Sequence, residues 1–224
     1  NLIFNTDKNS SNVSHNPEGI NLSIAENAIK QYALKTIVPK EITRKHLKGD
    51  IHLHDLGMIN RLYCSGHNPE YIKRYGVKNM KNIPTFSAPA GTAWTVVRHM
   101  ASATMFFTSL FAGAIGWDSV NMFLAPYTGG WSEEKYVQLA QTLLYDFSQL
   151  AGAKGGQVSF TDFNIYATTP NFYKDTYAVG KKGCYMFEHP DGQITYIFDR
   201  QEIEEYAKNN GGKILTYKDF EPEA

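Results

Sequence analysis

The chain has 224 residues, of which 42% are hydrophobic and 20% charged; this composition is typical of a globular protein and excludes a disordered one. Lysine and arginine total 22, aspartate and glutamate also total 22, and the small basic excess of the first half is too weak to predict nucleic-acid binding. Two distant cysteines, Cys64 and Cys184, exclude a disulfide framework and favour a reducing compartment, so we expect a cytoplasmic protein.

The beginning of the chain predicts an irregular lead-in followed by helices. Residues 1–20 are rich in Asn and Ser and include Asp7. Ser23 and Glu26 then form an S-x-x-E capping box, which predicts a helix over 23–37. Further elements predicted here are a helix from Pro39 that Gly49 ends, a strand over 58–64 and a short helix over 69–75.

The middle of the chain predicts three helices. A long apolar helix is expected over 92–112 and a shorter one over 117–125, ended by Pro126. The stretch 100–117 carries no charge, but its hydropathy is marginal for a membrane span and favours a buried or interface helix. Ser132 caps the third helix, whose apolar residues recur at helical spacing.

The last part of the chain predicts strands and one helix. Alternating residues predict a strand over 157–166, and Pro190-Asp-Gly192 between two apolar segments predicts a hairpin turn. Asp199 is placed to cap a helix over 200–208, and a strand is expected over 214–217. The glycine-rich segment 152–156 lacks the order of a phosphate-binding loop and predicts a helix end.

The most conspicuous polar motif is His52-x-His54-Asp55. Residues two apart on an extended chain face the same way, so the two imidazoles could chelate one metal, as in metal-dependent hydrolases. The competing interpretation is substrate or structural hydrogen bonding, because no further ligand stands at a revealing spacing. We favour this second interpretation and predict no metal.

Cys64 precedes Ser65 and His67 and is the second candidate. It is either a redox or hydrogen-donating thiol, part of a Cys/His pair, or a small buried apolar residue. The sequence alone leaves these three interpretations open.

Three motifs in order carry a resemblance to the anaerobic, glycyl-radical ribonucleoside-triphosphate reductase family. The resemblance extends from about residue 18 to about 180. The motifs are GDIHLHDLGM at 49–58 with YCSGH at 63–67, LFAGAIGWDSVN at 110–121 with LAPY at 124–127, and GGQVSFTD at 155–162.

The resemblance implies a helix-rich α/β fold, the first half of a ten-stranded α/β barrel with outer helices. It implies the following division: a lead-in over 1–20, the first part of the catalytic barrel over 21–180, and a truncated end over 181–224. The resemblance leaves residues 181–213 unmatched, and we expect them to form a β-hairpin–helix insertion.

The implied reaction reduces ribonucleoside triphosphates to deoxyribonucleotides for DNA synthesis by glycyl and thiyl radical chemistry. Cys64 matches the cysteine that donates a proton or hydrogen to the departing 2′-oxygen. His54, Ser65 and His67 are the implied substrate-binding residues.

The implied cofactors and partners mostly lie outside this chain. They are a glycyl radical installed by an iron–sulfur S-adenosylmethionine activase, a zinc module, the substrate, nucleotide effectors and a second subunit bound through the helices over 92–125. The chain lacks an R-x-C-G-Y motif, so we expect this fragment alone to be inactive and to bind no cofactor directly. No nucleic acid or membrane partner is expected. The alternatives are an H-x-H metal-dependent hydrolase and a non-catalytic nucleotide-binding or dimerisation module of a decayed reductase.

Overall fold

The computed structural model describes residues 17–78, 86–151 and 157–221. Helices and short strands alternate along the chain, which forms two compact units. The first unit comprises Asn1–Ser65, Met105–Ile115 and Ser148–Phe160. The second unit comprises Gly66–Thr104, Gly116–Phe147 and Thr161–Ala224.

The described residues contain seven α-helices and four 3₁₀ turns, together with the π-helical turn Ala33–Ile37. The α-helices are α1 (Pro17–Tyr32), α2 (Lys40–Lys48), α3 (Glu70–Tyr75), α4 (Ala93–Phe107), α5 (Val120–Thr128), α6 (Glu133–Phe147) and α7 (Arg200–Asn210). The 3₁₀ turns are Leu56–Met58, Asn171–Tyr173, Lys181–Gly183 and Tyr217–Phe220.

Eight short strands form three sheets within the described ranges. The strands are β1 (Ser65–His67), β2 (Ile115–Trp117), β3 (Leu150–Ala151), β4 (Gln157–Val158), β5 (Thr161–Phe163), β6 (Tyr185–Glu188), β7 (Ile194–Ile197) and β8 (Lys213–Ile214). The sheet orders are β1-β2-β5, β3-β4 and β7-β6-β8, and the last two sheets are antiparallel.

In the first unit, a small apolar cluster forms where the chain leaves α1. Ala33, Leu34 and Leu56 are buried together, and Val38 and Leu53 pack against them. Burying these side chains removes apolar surface from water, which is the main term favouring this local structure. The cluster fixes the start of the segment that carries the histidines.

The predicted start of the first helix is wrong. The helix begins at Pro17, so the supposed capping box of Ser23 and Glu26 lies inside α1, where the Asn27 amide donates to the Ser23 carbonyl oxygen at 2.8 Å. Proline is favoured in the first turn of a helix, since its missing N–H has no helical partner there. The helix also begins within the predicted lead-in.

The second predicted helix is confirmed. Pro39 immediately precedes α2, and Gly49 ends it in the left-handed conformation at φ 85°. The Gly49 N–H donates to the His46 carbonyl oxygen at 3.1 Å, and the Asp50 N–H donates to that of Lys45 at 3.0 Å. Glycine adopts this conformation at no steric cost, so the helix ends where the sequence predicts.

The strand predicted over 58–64 is wrong. That stretch begins in the 3₁₀ turn Leu56–Met58, and the strand is instead β1, which follows Cys64. Leu62 makes an isolated parallel bridge to Phe111. The short helix predicted over 69–75 is confirmed as α3.

The apolar helices of the middle segment differ in length from the prediction. The helix predicted over 92–112 ends at Phe107, and none of the helices in the described residues is long and apolar enough to span a membrane. The next helix does not end before Pro126 but continues to Thr128. The Thr128 hydroxyl donates towards the carbonyl oxygens of Leu124 and Ala125 in the last turn of this helix.

The third helix of the middle segment is confirmed as α6, which directly follows Ser132, with Glu133 and Glu134 in its first turn. The Lys135 N–H donates to the Ser132 carbonyl oxygen at 3.0 Å. The predicted helix end at 152–156 lies outside the described residues. The single strand predicted over 157–166 is instead two short strands, β4 and β5.

The predicted hairpin and the helix after it are confirmed. Strands β6 and β7 pair antiparallel, and Gly192 occupies the turn at φ 82°. The Asp199 carboxylate accepts hydrogen bonds from the first turn of α7. The strand predicted over 214–217 is shorter, since it stops at Ile214 before the 3₁₀ turn that begins at Tyr217.

Two apolar clusters stabilise the second unit. One consists of Phe187, Ile197 and Ile203, and it fastens α7 to the hairpin. The other joins α5 to the 3₁₀ turn Tyr217–Phe220 and contains Met122, Phe123, Ala178 and Tyr217. Phe123 and Tyr217 meet edge to face, with ring centroids 4.9 Å apart.

Candidate functional site

The loop after α2 brings three histidines of the first unit together. His52 Nε2 and His54 Nδ1 are 3.2 Å apart, which is a hydrogen bond, and the His46 and His52 ring centroids are 5.8 Å apart. His46 Nδ1 accepts from the Leu53 N–H at 3.2 Å, which ties the loop back to α2. Asp55, at φ 50°, places its carboxylate 3.6 Å from His54 Nε2.

The H-x-H motif takes part in hydrogen bonding in this structure. The two imidazoles bond to each other, and the described residues hold no group of three His, Cys, Asp or Glu side chains that could bind a metal. A cavity of about 310 Å³ in the first unit is lined by both histidines, together with Glu26, Lys30 and Asp55.

Cys64 lies on the first unit and is exposed. Its sulfur accepts a hydrogen bond from the Ala114 N–H at 3.3 Å. Gly113 passes so close that a side-chain carbon built on it would stand 2.5 Å from the sulfur. The backbone of 113–114 thus fixes the thiol's position, while its reactive side remains open.

Ser65 follows directly and begins β1. Its backbone N–H donates to the Ala114 carbonyl oxygen at 3.0 Å, and the next residues of both segments continue as β1 and β2. The side chain is half-buried. His54, Cys64 and Ser65, three of the four predicted site residues, therefore belong to the first unit.

His67, the fourth predicted residue, belongs to the second unit and ends β1. Its ring lies against Trp117, with centroids 5.5 Å apart, and burial lowers the pKa of its imidazole. A lowered pKa favours the neutral ring at neutral pH. His67 is thus suited to hydrogen bonding rather than to binding an anion by charge.

A polar cluster in the second unit was not predicted as a site. Asp118 follows β2, and its N–H donates to the His67 carbonyl oxygen at 2.8 Å. One carboxylate oxygen of Asp118 accepts from the Asn164 amide at 3.1 Å and from the Tyr166 hydroxyl at 3.2 Å. Desolvation and then the hydrogen bond to Asp118 raise the pKa of Tyr166.

The cluster lies just after β2 and β5, which are neighbouring strands of one sheet. Asp118 lies within the 110–121 motif, so that motif could have identified Asp118 as a candidate site residue. Asn164 and Tyr166 lie just beyond the motif at 155–162, and no local spacing links them to Asp118.

Comparison with known proteins identifies a family. The model of the family described as anaerobic ribonucleoside-triphosphate reductase matches residues 9–224. No curated protein sequence matches the chain.

Two solved structures of the anaerobic ribonucleotide reductase from Thermotoga maritima have a similar fold. The one in complex with dATP and CTP is 22% identical with a TM-score of 0.54, covering 66% of this chain and 28% of that chain. The one with glycerol in the active site is 20% identical with a TM-score of 0.55, covering 85% of this chain and 32% of that chain. The chain thus spans less than a third of either solved chain.

Proposed function

The chain belongs to the anaerobic ribonucleoside-triphosphate reductase family, and from this membership we propose that it is a section of a catalytic subunit that reduces ribonucleoside triphosphates to deoxyribonucleotides. The observation that supports this proposal most directly is the match of the family model to residues 9–224, which include both the histidine loop and Cys64. The family chemistry depends on a glycyl radical.

Cys64 is the proposed proton or hydrogen donor to the 2′-oxygen of the substrate ribose. Loss of the 2′-hydroxyl as water requires a proton, and a thiol at hydrogen-bonding distance can supply it. The hydrogen bond from the Ala114 N–H favours the thiolate left behind, while exposure leaves room for a sugar. The glycyl radical would supply the oxidation that starts the reaction at the 3′-carbon.

His54, Ser65 and His67 are the proposed substrate-binding residues. The exposed His54 shares a hydrogen bond with His52, so His52 sets the orientation of its ring. The neutral His67 can donate or accept one hydrogen bond to a ribose hydroxyl. Asp118 joins this set as a further candidate, since its N–H donates to the His67 carbonyl oxygen.

The remaining parts of the proposal concern the whole protein. We place 21–180 in the first half of a ten-stranded barrel, after a lead-in at 1–20, and treat 181–224 as the hairpin–helix insertion and end segment. The radical glycine, the zinc module and the loop cysteine are proposed to lie outside this chain, with an iron–sulfur S-adenosylmethionine activase, nucleotide effectors and a second subunit as partners. The apolar helices α4 and α5 are the proposed dimer contact.

The test is Cys64→Ser in the intact, anaerobically activated protein. We expect the glycyl radical signal in electron paramagnetic resonance to form normally, while reduction of the ribonucleotide falls at least about 100-fold, because the hydroxyl is a far weaker proton donor than the thiol.

The matched control is Cys184→Ser, which changes the other cysteine of the chain and should retain activity. Unimpaired turnover by Cys64→Ser would refute the assigned role of Cys64. Loss of turnover in both variants would indicate a structural effect instead.

A further inference from the structure

Lys73 is buried in an unusual setting for a lysine. It lies on the short helix α3, yet its side chain has no exposed surface, whereas Tyr71 and Tyr75 of the same helix are exposed. Its side-chain nitrogen Nζ donates to the Tyr217 hydroxyl oxygen at 2.9 Å. Burying a lysine costs free energy unless the group is paired, so its surroundings require explanation.

Three aromatic rings enclose the lysine nitrogen. It lies 4.8 Å from the ring centroid of Tyr217, 5.3 Å from that of Phe123 and 5.4 Å from that of Tyr127. These rings come from α5 and from the 3₁₀ turn Tyr217–Phe220, so the lysine connects α3 with both. Aromatic faces attract a cation and partly replace the water that burial removes.

The Tyr217 hydroxyl is the centre of the network. It accepts from Lys73, donates to a Glu70 carboxylate oxygen at 2.6 Å and accepts from the Val179 N–H at 3.3 Å. Glu70 lies one helical turn before Lys73, so α3 holds that 3₁₀ turn by two side chains. We call Glu70, Lys73 and Tyr217 the buried clasp.

Burial shifts the pKa of Lys73 and the pKa values of its two tyrosine neighbours in opposite directions. Burial lowers the pKa of Lys73 to about 7, although the nearby Glu70 carboxylate opposes the shift. Burial raises the pKa of both Tyr127 and Tyr217, and Glu70 raises them further; Cys184 adds to the effect on Tyr127. Both phenols therefore stay protonated at neutral pH, and among these groups Lys73 changes charge there.

We propose that the buried clasp is a pH-sensitive latch, which holds segment 213–221 against α3 and α5 while Lys73 is neutral and loosens it when Lys73 takes up a proton. A neutral amine keeps its hydrogen bond to Tyr217 without the cost of burying a charge. An ammonium gains by reaching water, and it can do so when the segment that covers it moves away.

Loosening of this segment would change a cavity of the second unit. Tyr217, Phe220 and Glu221 line a cavity of about 440 Å³, opposite Asn121 and Thr128 on α5. Glu221 also accepts from the Thr169 N–H at 2.6 Å, which is a second attachment of the same segment. Opening of the latch at acidic pH would therefore widen this cavity.

Hydrogen exchange followed by mass spectrometry on the intact protein tests the proposal. The exchange of peptides within 213–221 is expressed as protection factors. These compare each rate with that of an unfolded chain at the same pH, which corrects for the intrinsic pH dependence of amide exchange. With the Lys73 pKa near 7 in the closed state and 10.5 in the open state, linkage predicts about tenfold less protection at pH 6 than at pH 8.

Three variants separate the latch from a general effect of pH. Lys73→Met removes the titrating amine and should abolish the difference between pH 6 and pH 8. Glu70→Gln removes the carboxylate that raises the pKa of Lys73, so that pKa should be still lower in this variant. Protection of segment 213–221 should therefore fall more between pH 8 and pH 6 than it does in the natural protein. Lys218→Met, on the exposed side of the same segment, should behave as the natural protein does.

Equal protection at both pH values in the natural protein would overturn the proposal, as would an unchanged pH dependence in Lys73→Met. Should Lys73→Met not fold, Glu70→Gln decides, since a pH dependence no larger than that of the natural protein would also overturn the latch. These measurements do not depend on turnover, so they are independent of the proposed reductase activity.

Discussion

At the scale of single residues, Gly113 lies so close to the Cys64 sulfur that it limits which residues can occupy position 113. A side-chain carbon at Gly113 would stand 2.5 Å from the sulfur and 3.0 Å from the Tyr63 carbonyl oxygen. One of these groups must move if a side chain is added. Glycine is thus required here by the space around the thiol.

We predict that Gly113→Ala lowers the free energy of unfolding by about 1–3 kcal/mol, as overpacking does elsewhere. Gly66→Ala is the matched control, because nothing lies within 4 Å of a carbon added there. That control should be neutral or stabilising by up to about 1 kcal/mol. Urea denaturation of both variants measures the difference, and equal effects would contradict the close approach.

At the scale of secondary-structure elements, α7 depends on Asp199, the N-cap residue that precedes it. The Asp199 carboxylate accepts from the Gln201 N–H at 2.8 Å and from the Glu202 N–H at 3.0 Å. Asp199→Ala should therefore destabilise α7 by about 1 kcal/mol. Hydrogen exchange of the α7 amides measures this loss, and Glu205→Ala, at an exposed position of the same helix, should leave the exchange unchanged.

Elements with strong local signals were predictable from the sequence. Pro39 and Gly49 bound α2, Ser132 precedes α6, and the turn at 190–192 joins β6 to β7. Proline and glycine act through their backbone preferences, whereas a serine before a helix acts through its hydroxyl, which can accept from an N–H of the first turn. The prediction failed for α1, where Pro17 rather than Ser23 starts the helix, because two start signals competed within one turn and a half.

Features made by distant segments were not predictable. Asp118 meets Asn164 and Tyr166 only because neighbouring strands end together, 46 and 48 residues apart in sequence. Lys73 has the sequence context of an exposed surface residue, and its burial arises from Tyr217, 144 residues further on. The site motifs were visible in the sequence, but their contacts belong to the tertiary structure.

At the scale of the whole molecule, the buried ionisable groups set how stability depends on pH. The folded-state pKa of Lys73 lies below its ordinary value of 10.5, so the unfolded chain binds more protons between about pH 7 and that value. Stability from this group therefore rises as the pH increases across that window. The pKa of Tyr217 is raised above 10.0, so its contribution is lost as the pH rises beyond that value.

We accordingly predict that stability rises from pH 7 and begins to fall above about pH 10. Urea unfolding followed by circular dichroism at several pH values measures this profile. In Lys73→Met the rise above pH 7 should be smaller than in the natural protein. A profile identical to that of the natural protein would show that Lys73 is not the group responsible.

The division of the chain into two units has a practical consequence for spectroscopy. The three tryptophans of the chain, Trp94, Trp117 and Trp131, all belong to the second unit. Trp94 and Trp131 stack with ring centroids 5.8 Å apart, and the indole N–H of Trp117 donates to the Thr104 hydroxyl at 2.8 Å. Tryptophan fluorescence from this chain therefore monitors the second unit, and a dye attached at Cys64 in the Cys184→Ser variant would supply a signal from the first.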